Sequence, residues 1–388
     1  MKKTIITLTI IILNLLMVAC ENSTTTISEF SNPNTSYCVP GTKEGVYTCQ
    51  RVYTSYFDTQ VLLKLYVDET YDYDIEKVFT DFQNLLEKYH KLFDKYNAYE
   101  GINNIFTINN SNQAVTIDEE LFIAIEYAIN NQTIITADNQ LLFNIALNPV
   151  LQIWHNARNS NNCDDSIELG ISYCPIPETE LNQDFNIDPN DIILDKENFT
   201  IAFSKENMGI DLGGFAKGYI SEIITEYLNQ YNNIKYLLNL GNSNVHVHGI
   251  NNNNDTGKYY IALTRPSTTF QLTSDYYKII ELSSGQNLVT SGNYQRFFKN
   301  LDIEDKTIYH HIIDPRTYYP ADESMAVTVL STNGAIGDIL STALFLMDIE
   351  SGLAYVNNIE GLEAIWYVSE DEIYMSDNFS QYIYVPEN

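Results

Sequence analysis

Apolar residues recur along the chain in two rhythms, and these mark its elements. Phe79, Phe82, Leu86, Tyr89, Phe93 and Tyr96 step alternately by three and four, laying one apolar stripe along a helix expected over 75–96. A second helix is expected over 118–130, with Asp118 near its start. Val61, Leu63, Leu65 and Val67 alternate, so 52–67 reads as a strand pair or one long strand. The segment 141–154 is apolar but ambiguous, because Asn148-Pro149 interrupts it, and the Asn-, Asp- and Pro-rich 155–190 reads as an irregular excursion. From about 192 the order is strand, glycine turn, helix, then strands near 236–240, 245–248, 259–264 and 276–282. A helix after Asp338 and strands near 364–368 and 381–385 close the chain. Strands and helices mix without strict alternation, which makes the fold class α+β.

The N-terminus has a different logic. Lys2 and Lys3 precede an apolar run from Ile5 to Ala19, shorter than the ~20 residues a membrane span needs. The run ends in Met17-Val18-Ala19-Cys20, the pattern of a bacterial lipoprotein signal, in which Cys20 would be lipidated and become the mature N-terminus. An ordinary cleaved signal or an anchor helix are the other readings. This divides the chain into a signal peptide (1–19), a flexible tether after lipidated Cys20 (20–50, rich in Ser, Thr and Asn) and a folded domain (51–388). The expected location is the cell membrane, lipid-anchored and facing the extracytoplasmic side. Two acyl chains suffice for stable anchoring. Cys38, Cys49, Cys163 and Cys174 form two equally spaced local pairs, read either as two disulfides or as four free thiols. None has the close spacing of a zinc site.

Charge narrows the partners. With 51 acidic and 21 basic side chains the net charge is −30, and the pI is near 4.3. Nucleic-acid binding is excluded on that balance, because phosphate backbones need clustered Lys and Arg.

Three stretches carry candidate chemistry. In the first, Asp211-Leu212-Gly213-Gly214-Phe215-Ala216-Lys217-Gly218, paired glycines precede a helix. Backbone N–H groups there can approach an anion, and Lys217 is poorly placed against the helix dipole unless an anion sits beside it. The bland reading is a glycine turn with Lys217 in solvent. In the second, His310-His311-Ile312-Ile313-Asp314-Pro315-Arg316-Thr317, adjacent histidines on an extended segment face opposite sides, so one of them can enter a cleft as a base. A core or surface histidine is the alternative. His90, His155, His246 and His248 read as structural. In the third, Asp338 and Thr342 lie one helical turn apart and offer hard oxygen ligands suited to Mg²⁺. Alternatively Asp338 caps the helix and Thr342 packs.

In this order, together with Ser291-Gly292-x-Tyr294-x-Arg296, the stretches resemble the ApbE-like FAD:protein FMN transferase family. Phe57-Asp58-Thr59 stands where many members have Met-Gly-Thr, and Leu92-Phe93-Asp94-Lys95-Tyr96 and Leu141-Leu142-Phe143-Asn144 match further family segments. The likeness covers about 50–385. It implies a T-fold-related, two-lobed α+β fold of mixed sheets and packed helices, with an FAD cleft between the lobes. It implies that Asp211 and Lys217 contact FAD, that Ile312 lends backbone contact, and that Phe57, Tyr96, Leu142, Phe143 and Asn144 line the flavin and nucleotide pocket. Mg²⁺ would be held by Gly214 (through its carbonyl), Asp338 and Thr342, with Ser341 close by, and His311 would be the base. The implied activity is Mg²⁺-dependent attachment of FMN to a Thr or Ser of an exported or membrane redox protein, with release of AMP. The alternatives are FAD pyrophosphatase activity on the same scaffold and a lipoprotein that binds FAD without chemistry. The sequence departs from the family at Tyr318 (usually Gly), at Asn242-Ser243-Asn244 (commonly Gly-Gly-Asn), at Asn293 and at Asn144 (often Asp).

Overall fold

The computed structural model describes residues 36–137, 139–267 and 275–386. The signal peptide, Cys20 and the first part of the expected tether lie outside the described residues.

Nine strands form one sheet in which spatial order follows chain order: Cys38–Pro40, Tyr47–Tyr56, Thr59–Val67, Tyr236–Leu240, Asn244–His248, Asn287–Gly292, Ala326–Ser331, Glu363–Tyr367 and Ile373–Met375. Every neighbouring pair is antiparallel. The alternation seen in the sequence sets the facing. Leu63 and Leu65, with Tyr236 and Leu238 beside them, bury against the helices Ile75–Phe93, Glu119–Asn131 and Ala216–Leu228. Tyr66, Val245 and Val247 point to the other face, where the hairpin Tyr259–Thr264/Tyr276–Leu282 covers them. A smaller four-stranded sheet (Ile308–His310, Phe297–Asn300, Ile171–Cys174, Asp164–Glu168) contains one parallel pair, and helix Asn148–Arg158 packs on it. The expected α+β class and mixed sheets are both present.

Some open local readings are settled and other expectations change. The segment 52–67 is a hairpin that turns at Phe57-Asp58. The last part of the tether is ordered: Cys38 and Cys49 sit directly opposite in neighbouring strands and are joined by a disulfide, so the chain has already entered the sheet by Cys38. Cys163 and Cys174 are also joined, and the excursion they staple contains the hairpin Asp164–Glu168/Ile171–Cys174. Pro149 opens a helix instead of breaking one, because the first helical turn needs no proline N–H. The expected strand at 381–385 is a 3₁₀ turn, Phe379–Tyr382, followed by a single bridge from Ile383 to Ile280.

Candidate active site

A cavity of about 460 Å³ opens between the nine-stranded sheet, the smaller sheet and the N-terminal part of helix Ala216–Leu228. Its wall includes Phe57, Tyr96, Leu142, Phe143, Asn144, Asp211, Gly214, Lys217, His311, Ile312, Asp338 and Thr342. Residues from six separate segments thus meet in one place.

The hairpin turn supplies Phe57. Phe57 and Asp58 have φ of 55° and 52°, the left-handed region that bulky residues avoid. The cost is offset by packing: the Phe57 N–H reaches His90 Nδ1 at 3.3 Å, and the two rings meet edge-to-face at 5.6 Å. At the end of helix Ile75–Phe93, Asp94 accepts the backbone N–H groups of Tyr96 and Asn97, turning Lys95 and Tyr96 toward the cavity. Tyr96 stacks on His155 with centroids 4.4 Å apart. Leu142 and Phe143 are buried in the wall. The Asn144 amide is occupied by backbone, accepting from Ala146 N–H at 2.8 Å and donating to the Ile187 carbonyl at 2.9 Å.

Asp211 pairs with Lys95, and both are 11% exposed. Burial alone would raise the Asp211 pKa, but Lys95 and the Gly213 N–H (2.6 Å) hold it below the usual carboxylate range. The next turn presents Gly214 and starts the helix, with Lys217 in its first turn.

Asp338 lies inside helix Gly334–Phe345, because Asn333 takes the cap by accepting the Ile336 N–H at 2.9 Å. The capping reading of Asp338 is therefore excluded. Its Oδ2 accepts the Gly218 N–H at 2.8 Å, and burial raises its pKa despite Lys217. Thr342 lines the cavity one turn later, and a Cβ built on Gly214 would stand 3.4 Å from Thr342 Oγ1. One carboxylate short of positive charge, one hydroxyl and one carbonyl form a hard-oxygen donor set that fits Mg²⁺. No cluster of three or more His, Cys, Asp or Glu suited to a metal exists among the described residues. Ser341 stands behind this wall: it is fully buried, and its hydroxyl lies 3.0 Å from the Asp338 carbonyl and 2.8 Å from Ser291 Oγ. It supports Ser291 and does not border the cavity, as the sequence expectation had it near the metal.

The two histidines divide as the extended segment predicts. His310 is buried, and its ring is committed to the Ala321 carbonyl and the Ile312 N–H. That hydrogen bond occupies the N–H of Ile312, the residue expected to lend backbone contact to FAD. His311 is open to the cleft and ringed by protein around it. That enclosure, then His310, Arg296, Lys217 and Arg158, depresses its pKa well below the usual imidazole range. A neutral imidazole at pH 7 can accept a proton.

Five lining residues were given no role in the cleft by sequence reasoning. His155, read as structural, faces the cavity, as do Lys95, Arg158 and Arg296. His90 also lines it, beside Phe57. A cationic helix end beside Trp154 was the available signal for His155 and Arg158.

Fold and site together define an α+β protein with a cleft whose described lining carries both cationic and aromatic side chains. The chain belongs to the ApbE family, which matches residues 57–366. It is 32% identical over 235 residues to the FAD:protein FMN transferase of Klebsiella pneumoniae, covering 60% of this chain and 66% of that protein. It is 23% identical over 268 residues to the FAD:protein FMN transferase of Treponema pallidum, covering 67% and 68%. The chain thus spans about two thirds of these relatives' length. Among solved structures, the ApbE protein of Thermotoga maritima superposes with a TM-score of 0.68 at 22% identity, covering 86% of this chain and 99% of that one. The flavin transferase ApbE of Vibrio cholerae gives 0.64 at 20% identity, with the same coverage. These two likenesses bear on the fold.

Proposed function

We propose that this chain is an Mg²⁺-dependent FAD:protein FMN transferase. It would move FMN from FAD onto a Thr or Ser hydroxyl of an exported or membrane redox protein and release AMP. The observation that carries the reading is the meeting of Lys217, His311, Gly214, Asp338 and Thr342 around one cavity. Family membership and the names of the relatives support it. Asp338, the Thr342 hydroxyl and the Gly214 carbonyl would hold Mg²⁺, which when bound supplies neutralisation of phosphate oxygens. Phe57, Tyr96, Leu142 and Phe143 would hold the flavin and nucleotide rings. Lys217 stands at the helix start, where it and the backbone N–H groups favour a phosphate. His311 takes the proton of the attacking hydroxyl. A new P–O bond forms to that oxygen, the phosphoanhydride P–O bond breaks, and AMP carries off the electron pair.

We further propose that the domain works outside the cytoplasm, tethered through lipidated Cys20. The two disulfides support an oxidising location. No helix among the described residues is long and apolar enough to cross a membrane.

The test is incubation with FAD, Mg²⁺ and a Thr- or Ser-containing acceptor peptide. Covalent fluorescent peptide is expected. Free FMN with AMP would replace transfer by hydrolysis, and unchanged FAD would leave a binding protein. His311→Ala should keep FAD affinity and lose ~10²–10⁴-fold in transfer rate; full activity would remove His311 from the base role. Asp338→Asn should abolish the response of transfer to added Mg²⁺, and a wild-type titration curve would reject the ligand assignment.

A further inference from the structure

The chain has five arginines in an acidic protein of net charge −30, so carboxylate partners abound. Arg51, Arg265 and Arg316 have each found one, in Glu76, Asp275 and Asp314. Arg158 and Arg296 have not. Neither makes a side-chain hydrogen bond or an ion pair among the described residues, and both line the cleft. The strongest charged neighbour of Arg158 is Arg296, and that repulsion adds to burial in lowering its pKa. Asp58 and Asp211 lie near enough to act on them at a distance, but neither guanidinium is hydrogen-bonded to a carboxylate, and two such groups kept together are a site suited to an anion. Their planar forks suit bidentate contact with phosphate oxygens.

The two arginines come from different elements, and a disulfide joins the turn after the first to a strand that pairs beside the second. Arg158 is the last residue of its helix. Both sulfurs of the Cys163–Cys174 disulfide lie against its carbonyl oxygen, at 3.6 and 3.7 Å. Cys174 ends a strand that pairs in parallel with Phe297–Asn300, with Cys174 opposite Asn300. Arg296 immediately precedes that strand. The disulfide therefore fixes the end of the Arg158 helix to the strand Ile171–Cys174, which in turn is hydrogen-bonded to the strand that follows Arg296.

Resting on the transferase reading, we propose that Arg158 and Arg296 form a two-arginine clamp on a phosphate of the flavin nucleotide, with the Cys163–Cys174 bond setting its span. The remaining lysine of this wall, Lys95, is already occupied by Asp211.

The experiment is a fluorescence-quenching titration of the purified oxidised chain, in Mg²⁺ buffer, with FAD, FMN and riboflavin. Arg158→Gln should weaken FAD and FMN about tenfold or more and leave riboflavin, which has no phosphate, unchanged. Arg158→Lys should recover part of the loss. The double variant Cys163→Ser/Cys174→Ser should show the same phosphate-selective weakening, and Cys38→Ser/Cys49→Ser should not. Wild-type FAD affinity in Arg158→Gln, or an equal loss for riboflavin, would overturn the clamp while leaving the transferase reading intact. Wild-type protein that binds FMN through Arg158 but not FAD would overturn the transferase reading and keep the clamp. If Arg158→Gln melts early, Arg158→Lys carries the test: wild-type FAD and FMN affinity there, with the double cysteine variant also unaffected, overturns the proposal.

Discussion

The His310 ring is fixed by two hydrogen bonds: Nε2–H donates to the Ala321 carbonyl at 2.6 Å, and Nδ1 accepts the Ile312 N–H at 3.2 Å. Protonating Nδ1 would break the second, and burial moves the His310 pKa down to about 4. Burial also moves His246 to about 4, although its Nδ1 faces Asn287 Oδ1 at 3.1 Å. Both groups are depressed in the folded chain, so below the ordinary histidine range the unfolded chain binds protons that the folded chain refuses. Stability is therefore full above that range and falls as pH drops toward 4, by on the order of 3 kcal/mol per group. Urea unfolding midpoints at pH 7 and pH 5 should differ in that direction, and His246→Gln should shrink the difference. A midpoint unchanged at pH 5 would contradict the assignment. His311 differs from its neighbour because it opens to the cleft. Its transfer rate should be flat through neutral pH and fall only in acid. The same scale explains three departures from the family pattern. Asp58, Asn242 and Tyr318 stand where the resemblance to the family implies glycine, and all three have positive φ, at 52°, 59° and 66°. The backbone shape is kept without glycine. Tyr318 is steadied by Phe185 at 5.1 Å and by Trp154 Nε1–H on its carbonyl.

Helices Ala216–Leu228 and Gly334–Phe345 touch through Gly218. A Cβ there would overlap the Gly334 carbonyl oxygen and come within 2.7 Å of Asp338 Cβ. This contact lets the Gly218 N–H reach Asp338, so the helix that carries Lys217 also aims the carboxylate proposed for Mg²⁺. Gly218→Ala should destabilise by about 1–3 kcal/mol, as overpacking does. It should also weaken Mg²⁺-supported FAD binding more than riboflavin binding, because it shifts both Asp338 and Lys217. Unchanged melting and binding would mean the helices can separate freely. This pair also shows what was legible in the sequence. Asp211, Gly214, Lys217, His311, Asp338 and Thr342 sit in short local patterns whose spacing carries chemical meaning, and the fold brings them together. The stripe over 75–96 and the alternation at 61–67 reported their elements because each faces one side of a core. The cap at Asn333 was missed because Asp338 is equally competent to cap, and only the Asn333–Ile336 hydrogen bond decides between them. Lys95, His155 and Arg158 were missed because each is a lone polar residue at a helix end. Only the long-range closure of the smaller sheet against the main one turns such residues inward. The strand expected at 381–385 failed because the chain enters a 3₁₀ turn over Phe379–Tyr382 and meets the sheet only briefly, through Ile383 and Tyr384 beside Ile280 and Ile279, among the described residues.

For the whole molecule, the net charge of −30 and the cationic wall of the cleft oppose each other in their effect on an approaching dinucleotide. Distance decides which wins. At about 0.01 M ionic strength the Debye length is ~30 Å, comparable with the domain itself, so FAD feels the full acidic surface and is repelled. At about 0.15 M it shrinks to ~8 Å, and the surface charge is screened away while Lys217, Arg158 and Arg296 still act at contact range. The association rate of FAD should therefore rise with salt over this interval, the reverse of what a basic nucleotide-binding surface would give. The dissociation rate should change little, because it reports contacts too close to be screened. Stopped-flow quenching of flavin fluorescence at fixed Mg²⁺ separates the two rates, and riboflavin, lacking phosphate, serves as the control with no salt dependence in either. An FAD association rate that falls steadily with salt would show the cleft's own field reaching beyond the acidic surface. The surplus of carboxylates would then have no part in the encounter.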